Sequence, residues 1–209
     1  MAEAPPPTRW ALAGPMRGGY GENFARLVAS GADVDGEARL ADALLPRGAR
    51  VLDVGSGMGR VAAALVARGH DVTAVEPDAE LVAQSRRTYP DLAVVEADVL
   101  AVSPDDVGTF DLVVCVGNVL VFLAEGTERR VLAHLRSLLA PGGRVLAGFH
   151  LRGGPAAARR YPPEELVADA GAAGLRVDLR AGSYELHPAN EEYAVWLLSA
   201  DPAAAHPAG

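Results

Sequence analysis

Residues 51–60 read Val-Leu-Asp-Val-Gly-Ser-Gly-Met-Gly-Arg, and this stretch decides the fold. An apolar strand, predicted at 50–54, runs into a glycine-rich turn, and apolar residues then recur at helical spacing from Val61 to Val66. Glycines at 55, 57 and 59 let the backbone turn tightly and approach a ligand with no Cβ atom in the way. A strand, a glycine turn and a helix in this order predict a ligand site beyond the carboxyl ends of a parallel sheet.

Strands and helices alternate along the rest of the core. Further apolar strands are predicted at 72–75, 92–95, 110–116 and 144–149. A helical stripe that extends to Leu139 and a turn at 141–143 precede the last of these strands. Two more strands, at 175–184 and 192–198, have only a loop between them, which favours an antiparallel pair over a crossover. The expected fold is α/β, with a mainly parallel sheet and an antiparallel strand at the carboxyl-terminal end.

The length of 209 residues suits one domain with small additions. Residues 1–47 are expected to form an amino-terminal tail and a helical lid or cap, with one helical piece on each side of Ser30-Gly31. Residues 48–200 should form the ligand-binding domain. Residues 201–209 hold little that could pack against a core, so a disordered tail is expected there.

Composition and charge argue against several classes of protein. The formal net charge is −8, whereas nucleic-acid-binding proteins usually show a broad basic face. The amino terminus has neither a basic start nor an apolar core, so a signal peptide is not expected, and no apolar run approaches the ~20 residues of a membrane span. We therefore expect a cytoplasmic protein with no membrane partner, as a monomer or homodimer. The single cysteine, Cys115, lies in an apolar strand and is interpreted as a core thiol.

The glycine spacing and one acid distinguish two possible ligands. A dinucleotide fingerprint has the spacing Gly-x-Gly-x-x-Gly, but here the third glycine comes one residue early, at Gly59. Asp53 lies two residues before the first glycine, where its carboxylate would repel a pyrophosphate. A cationic ligand with an amino group would suit the same position. S-adenosylmethionine carries an α-ammonium and a sulfonium, and it has no phosphate.

The stretch Asp53-Val54-Gly55-Ser56-Gly57-Met58-Gly59 resembles the first motif of the class I S-adenosylmethionine-dependent methyltransferases, and the resemblance extends over about residues 48–150. It implies a three-layer Rossmann-like methyltransferase fold with S-adenosylmethionine as cofactor. The three glycines would line the cofactor pocket, and Asp53 would contact the methionyl end directly or through water. The other residues that the resemblance assigns to cofactor binding are Ser56, Pro77, Gly117 and Asn118.

Two acids at strand ends are candidates for the adenosine part of the cofactor. Glu76 closes the second strand, where a carboxylate can accept hydrogen bonds from vicinal ribose hydroxyls, and Asp78 is the better candidate for the cap of the next helix. The resemblance places Asp98 and Val99 at the adenine, with the carboxylate accepting from the amino group. Glu96 is a competing acid, but strand alternation points it to the other face.

Three residues are candidates for catalysis. Asn118 follows the fourth strand, at the edge that faces the methyl group in the family, and a role in the turn is the alternative. His150 ends the fifth strand and is a possible general base for a hydroxyl or amine acceptor, or simply a polar strand end. Tyr20, flanked by glycines, is a possible lid residue that covers the cofactor or contacts the acceptor. The histidines show no spacing typical of metal ligands, and no metal is expected.

The expected activity is methyl transfer from S-adenosylmethionine to a small-molecule acceptor. Nucleobase amine methylation loses support because no Pro-Pro-aromatic motif follows Asn118, although Arg152, Arg159 and Arg160 could form a local basic edge. A nucleic-acid or protein methyltransferase therefore stays an alternative, and a nicotinamide-dependent oxidoreductase is a second. A module that binds S-adenosylmethionine or S-adenosylhomocysteine without catalysis is another, because its cofactor motifs would be the same.

Overall fold

A computed structural model of the protein describes residues 6–14 and 19–205. Its seven-stranded sheet has the order β3-β2-β1-β4-β5-β7-β6. The strands are β1 Arg50–Val54, β2 Asp71–Glu76, β3 Val94–Glu96, β4 Phe110–Cys115, β5 Leu139–His150, β6 Leu175–Ala181 and β7 Tyr193–Ala200. Strands β1 to β5 pair in parallel, whereas β7 is antiparallel to both β5 and β6. This arrangement confirms the fold predicted from the sequence.

Helices cover both faces of the sheet. They are α1 Arg9–Leu12, α2 Tyr20–Ala29, α3 Gly36–Ala43, α4 Arg60–Ala67, α5 Ala79–Thr88, α6 Pro104–Val107, α7 Val119–Phe122, α8 Glu128–Ser137 and α9 Pro163–Ala172. Helix α5 begins at its predicted cap, because the Asp78 side chain accepts from the N–H groups of Glu80 and Leu81.

The side chains of the central strand β4 pack into hydrophobic cores on both faces of the sheet. Val113 and Cys115 pack in a core with helices α8 and α9, whereas Leu112 and Val114 pack in a second core with α3 and α4. Successive side chains of a strand point to opposite faces, so an unbroken apolar run is what a strand covered on both sides requires. Cys115 is completely buried and is a core residue, as expected.

The structure differs from the predicted elements mainly at their boundaries. Helix α8 ends at Ser137, and Leu139, predicted to be helical, instead pairs with Phe110 as the first residue of β5. The predicted turn at 141–143 is an irregularity within β5, because the next pair in the register joins Leu112 to Arg144. Within the tail predicted to be disordered, Pro202–Ala205 form a short 3₁₀-helix.

Candidate functional site

A cavity of about 530 Å³ opens at the carboxyl ends of β1, β2 and β4. One wall consists of the glycine turn after β1 and the strand ends at Glu76 and Asp98. The covering side of the cavity is formed by α1, α7 and the segment 155–157. A volume of this size is typical of pockets for small molecules and cofactors.

Left-handed backbone shapes the glycine turn. Gly55 has φ +64°, and a Cβ atom built on it would lie 2.6 Å from a methyl carbon of Val119, so the turn and α7 are in close contact. Gly57 also has a positive φ, and apart from its chain neighbours no described residue has an atom within 4 Å of its Cβ position. Both residues and Ser56 line the cavity, as the resemblance implies.

Gly59 has a different environment from its two neighbours. It does not line the cavity, and it is the N-cap of α4 with φ +83°. A Cβ atom there would lie 2.5 Å from both Ser85 Oγ and Leu92 Cδ2. The third glycine is therefore explained by the packing of α4 against α5 and the loop that follows it, with no ligand contact required.

Asp53 is a buried carboxylate with one oxygen unused. The residue is 2% exposed and lines the cavity, and its Oδ2 has no hydrogen-bond partner among the described residues. Burial raises the pKa of Asp53 to about 7, against the lowering effects of the Arg60 charge and the Ala62 backbone N–H. An acceptor atom that is desolvated and unpaired is costly, so the cavity presents a site for a hydrogen-bond donor or cation.

Glu76 supports the glycine turn from the end of β2. Its Oε2 accepts from the Gly57 N–H at 2.8 Å, and its Oε1 accepts from the Asp78 N–H at 2.9 Å. Burial raises the pKa of Glu76 to about 7, although these two N–H groups act in the opposite direction. Each carboxylate oxygen can accept a second hydrogen bond, so Glu76 can bind diol hydroxyls while it holds the turn.

Asp98 and Val99 line the cavity beyond the end of β3, and Pro77 lines it after β2. Oδ1 of Asp98 accepts from the Leu100 N–H at 2.8 Å and caps the 3₁₀-helix Val99–Ala101. The carboxylate therefore has a structural role as well as a position at the cavity. Glu96, the competing acid, is exposed and does not line the cavity. Strand alternation does not explain this, because the neighbouring Val95 is exposed as well.

Asn118 and His150 form a pair at the ends of β4 and β5. Asn118 lies in left-handed backbone with φ 77° and lines the cavity together with Gly117. Its Oδ1 accepts from the His150 backbone N–H at 2.9 Å and lies 3.0 Å from Nδ1 of the His150 ring. His150 itself does not line the cavity, and its ring packs edge-on against Tyr193. The imidazole thus contacts the site through Asn118.

Trp10 and Arg60 line the cavity but were not among the predicted site residues, although a helical lid from residues 1–47 was expected. Trp10 of α1 lines it, donates from Nε1 to Asp78 Oδ2 at 2.7 Å and packs edge-on against Phe122. The sequence feature that could have indicated Trp10 is a large aromatic residue two positions after Thr8, a residue type that caps helices. Tyr20 begins α2, but its side chain lies outside the described residues, so its role at the lid stays a prediction. Arg60, also missed, lines the cavity and forms an ion pair with Glu37.

No cluster of three or more His, Cys, Asp or Glu suitable for a metal ion occurs in residues 6–14 and 19–205. In that part of the chain no helix has the length and apolar character of a bilayer span. A cytoplasmic location stays a prediction from the sequence.

Comparisons with known proteins show the family to which the chain belongs. A family model described as a methyltransferase domain matches residues 51–143. A TehB-like SAM-dependent methyltransferase from Corynebacterium glutamicum is 32% identical, with 87% of this chain and 98% of that chain covered and a TM-score of 0.75. An uncharacterized methyltransferase of Mycobacterium tuberculosis is 39% identical over 107 residues, which cover 50% of this chain and 52% of the relative. The match therefore spans about half the length of that curated relative.

A more distant structure shares the fold with a small molecule bound. It is the Burkholderia thailandensis 1,6-didemethyltoxoflavin-N1-methyltransferase with 1,6-didemethyltoxoflavin and S-adenosylhomocysteine. Its identity is 24%, with 96% of this chain and 93% of that chain covered and a TM-score of 0.61.

The fold and the site define a Rossmann-like transferase. The chain belongs to the class I S-adenosylmethionine-dependent methyltransferases, and S-adenosylmethionine is its cofactor. The cavity fits this molecule, because Asp53 offers a buried, unpaired acceptor to an ammonium group and the open space at Gly57 admits a ligand close to the backbone. The nicotinamide alternative is set aside by this assignment.

Proposed function

We propose that the protein methylates a small molecule inside the cavity at the carboxyl end of the sheet. The observation that carries the proposal is that the carboxylates of the cavity come from the strand ends, whereas α1, α7 and the segment 155–157 contribute mostly apolar residues. Asp53, Glu76 and Asp98 come from the strand ends, whereas Trp10 and Phe122 belong to the covering side. Such a division suits a polar, cationic cofactor beside a less polar acceptor.

The cofactor is proposed to lie along the strand ends. Asp53 would accept from the ammonium of the methionyl end, with Gly55, Ser56 and Gly57 as the floor. Glu76 would accept from the ribose hydroxyls, which is consistent with its two unoccupied lone-pair directions. The other proposed cofactor contacts are Pro77, Asp98, Val99, Gly117 and Asn118, all of which line the cavity. Gly59 is omitted as a contact and is proposed to shape the turn.

The cofactor supplies an activated methyl group on a sulfonium when it is bound. The protein's task is then to hold the acceptor in line with that group and to exclude water, for which proximity and orientation provide most of the rate. We propose that His150 orients Asn118 and does not act as a base, because Asn118 lies between the imidazole and the cavity. With Oδ1 held by His150, the amide nitrogen of Asn118 is available to a ligand.

The size and charge of the covering side favour a small acceptor over a polymer. A cavity of about 530 Å³ must hold the cofactor and the acceptor together. Two of the three arginines of the possible basic edge are paired, Arg152 with Glu191 and Arg159 with Glu128 and Glu165. This pairing weakens a phosphate-binding face. The distant relative that holds 1,6-didemethyltoxoflavin shows in its own case a small molecule on this fold.

Calorimetric binding of S-adenosylmethionine and S-adenosylhomocysteine tests the cofactor site. Glu76→Ala should weaken both affinities by about 1–3 kcal/mol, the cost of leaving hydrogen-bonding groups unpaired. Glu96→Ala, at an exposed position of the next strand, is the matched control and should bind like the wild type. Unchanged binding by Glu76→Ala would overturn the assignment of the ribose site. The acceptor class is then tested by comparing the turnover of a panel of small molecules with the turnover of RNA and protein substrates.

A further inference from the structure

Glu128 is a buried carboxylate outside the cavity that holds two arginines at one oxygen. Its Oε1 accepts from Arg9 Nη1 at 3.2 Å and from Arg159 Nη1 at 2.6 Å. The Glu128 side chain is 6% exposed, and the two arginine side chains are 21% and 19% exposed. Both contacts are therefore largely shielded from water, where charge-assisted hydrogen bonds are strong.

The two arginines come from the two segments that cover the cavity. Arg9 precedes Trp10 in α1, and its Nη1 also donates to the Leu123 carbonyl at 2.7 Å. Arg159 follows the segment 155–157, and its backbone N–H donates to the Val121 carbonyl at 2.9 Å. Both segments are thus attached to the α7 region, and their charged side chains meet at a single carboxylate.

The position of Glu128 in the fold suits a carboxylate that holds two arginines. It is the first residue of α8, where a negative charge interacts favourably with the helix dipole. Although burial alone would raise the pKa of Glu128, hydrogen bonds and the charges of Arg159 and Arg9 hold it below its usual value. The carboxylate therefore stays ionised and keeps both arginines at neutral pH. Helix α8 itself packs in the main core through Val131, Leu132 and Leu135, so the anchor is rigid.

We propose that Glu128 is a positioning residue that couples the two covering segments of the cavity, so that α1 and the segment 155–157 are seated, and released, together. The coupling itself does not depend on the proposed function. Its consequence does rest on that function: the cofactor and the acceptor enter and leave the cavity only when both segments loosen. Neither arginine alone can produce this coupling, because each belongs to one segment.

Hydrogen exchange of the full chain, with no ligand, is the direct test. Glu128→Gln keeps the shape of the side chain and removes its charge, so exchange should accelerate about tenfold or more in the peptides covering both 6–14 and 155–160, as expected for loss of charge-assisted hydrogen bonds. Arg9→Met should accelerate mainly the first peptide and Arg159→Met mainly the second. The peptide covering β4 is the internal reference and should not change. Glu165→Gln is the matched control, because it removes the other, more exposed carboxylate on Arg159 and should leave the peptide 6–14 as in the wild type.

A purely structural role of Glu128 predicts a different pattern. Exchange would then accelerate in α8 and in β4, and the effect of Glu128→Gln would persist in an Arg9→Met/Arg159→Met background. Under the proposal that effect disappears in the double variant, because the carboxylate no longer has partners to couple. Loosening of only one segment in Glu128→Gln would overturn the coupling.

S-adenosylhomocysteine binding links the coupling to the site. Its dissociation from Glu128→Gln should be about three- to tenfold faster than from the wild type. An unchanged dissociation rate would contradict the consequence that ligand release requires both segments to loosen. Absence of binding by the folded wild type would instead remove the proposed function, and the hydrogen-exchange result would still decide whether Glu128 couples the segments.

Discussion

The two sides of the cavity are built in different ways. The cofactor side is made from the glycine turn and the ends of β1, β2 and β3, whose parallel ladders fix Asp53 and Glu76 at the sheet. The covering side is made from short pieces far apart in the chain, such as the four-residue helix α1, held by side-chain contacts of Arg9 and Trp10. Elements with few contacts open at low cost in free energy, whereas central strands open only with the whole fold. One side is therefore suited to recognition and the other to exchange of ligands.

The largest expected effect is on the cofactor side. Gly55→Ala places a Cβ atom against Val119 in a left-handed backbone, so the turn or α7 must move. We expect S-adenosylhomocysteine affinity to fall by about 100-fold, the scale of a small displacement in a preorganised site. Gly69→Ala is the control, because Gly69 is also left-handed but, among the described residues other than its chain neighbours, none has an atom within 4 Å of its Cβ position. Equal losses of affinity in the two variants would mean that backbone strain, and not the site, explains the result.

A smaller effect on stability and binding is expected from a change of pH. The cofactor side contains two carboxyl groups, those of Asp53 and Glu76, whose pKa is raised to about 7. A raised pKa in the folded state stabilises the protein below the unfolded value and loses that contribution as the pH rises through the folded value. The melting temperature of the ligand-free protein should therefore fall between about pH 4 and pH 7. Binding of S-adenosylhomocysteine should strengthen by about tenfold over about pH 5.5 to pH 8, since ionised carboxylates are better acceptors.

Asp53→Asn tests whether the titration of Asp53 contributes to these two trends. The variant cannot ionise at this position, so both slopes should become shallower than in the wild type. Asp98→Asn, a part-exposed carboxylate of the same cavity, is the control and should retain the wild-type slope of the melting temperature. Parallel profiles for Asp53→Asn and the wild type would show that burial of Asp53 does not control the pH response.

The smallest expected effect is on the covering side. Trp10→Ala removes the hydrogen bond to Asp78 and the contact with Phe122, but leaves the strand ends intact. Affinity for S-adenosylhomocysteine should fall only about three- to fivefold, with the change mainly in the dissociation rate. Leu12→Ala changes a residue of the same helix that is 70% exposed and should bind normally. A loss as large as that of Gly55→Ala would break the distinction between the two sides.

The sequence was informative where the chemistry is local and much less so where it is not. The strand, glycine turn and acid of residues 50–59 are consecutive, so their pattern predicted the fold and the position of Asp53 relative to the turn. The pairing of Asn118 with His150 joins residues 32 positions apart, and Arg9 reaches a carbonyl 114 positions away. No periodicity records such contacts, because they depend on how the finished sheet brings its loops together. For the same reason Gly59 was assigned to the cofactor, although its neighbours are Ser85 and Leu92.

The burial of the only cysteine gives the protein an internal reporter. Cys115 lies at the end of β4, and burial, with a further contribution from the charge of Asp53, raises the pKa of its thiol far above its ordinary value. A thiol that is neither ionised nor accessible reacts with alkylating reagents only after the centre of the sheet opens. The rate of alkylation therefore measures how often the native sheet opens, without any label being introduced. Because a ligand that binds only the native state lowers that frequency, the same reaction can rank candidate cofactors and acceptors by the protection each provides.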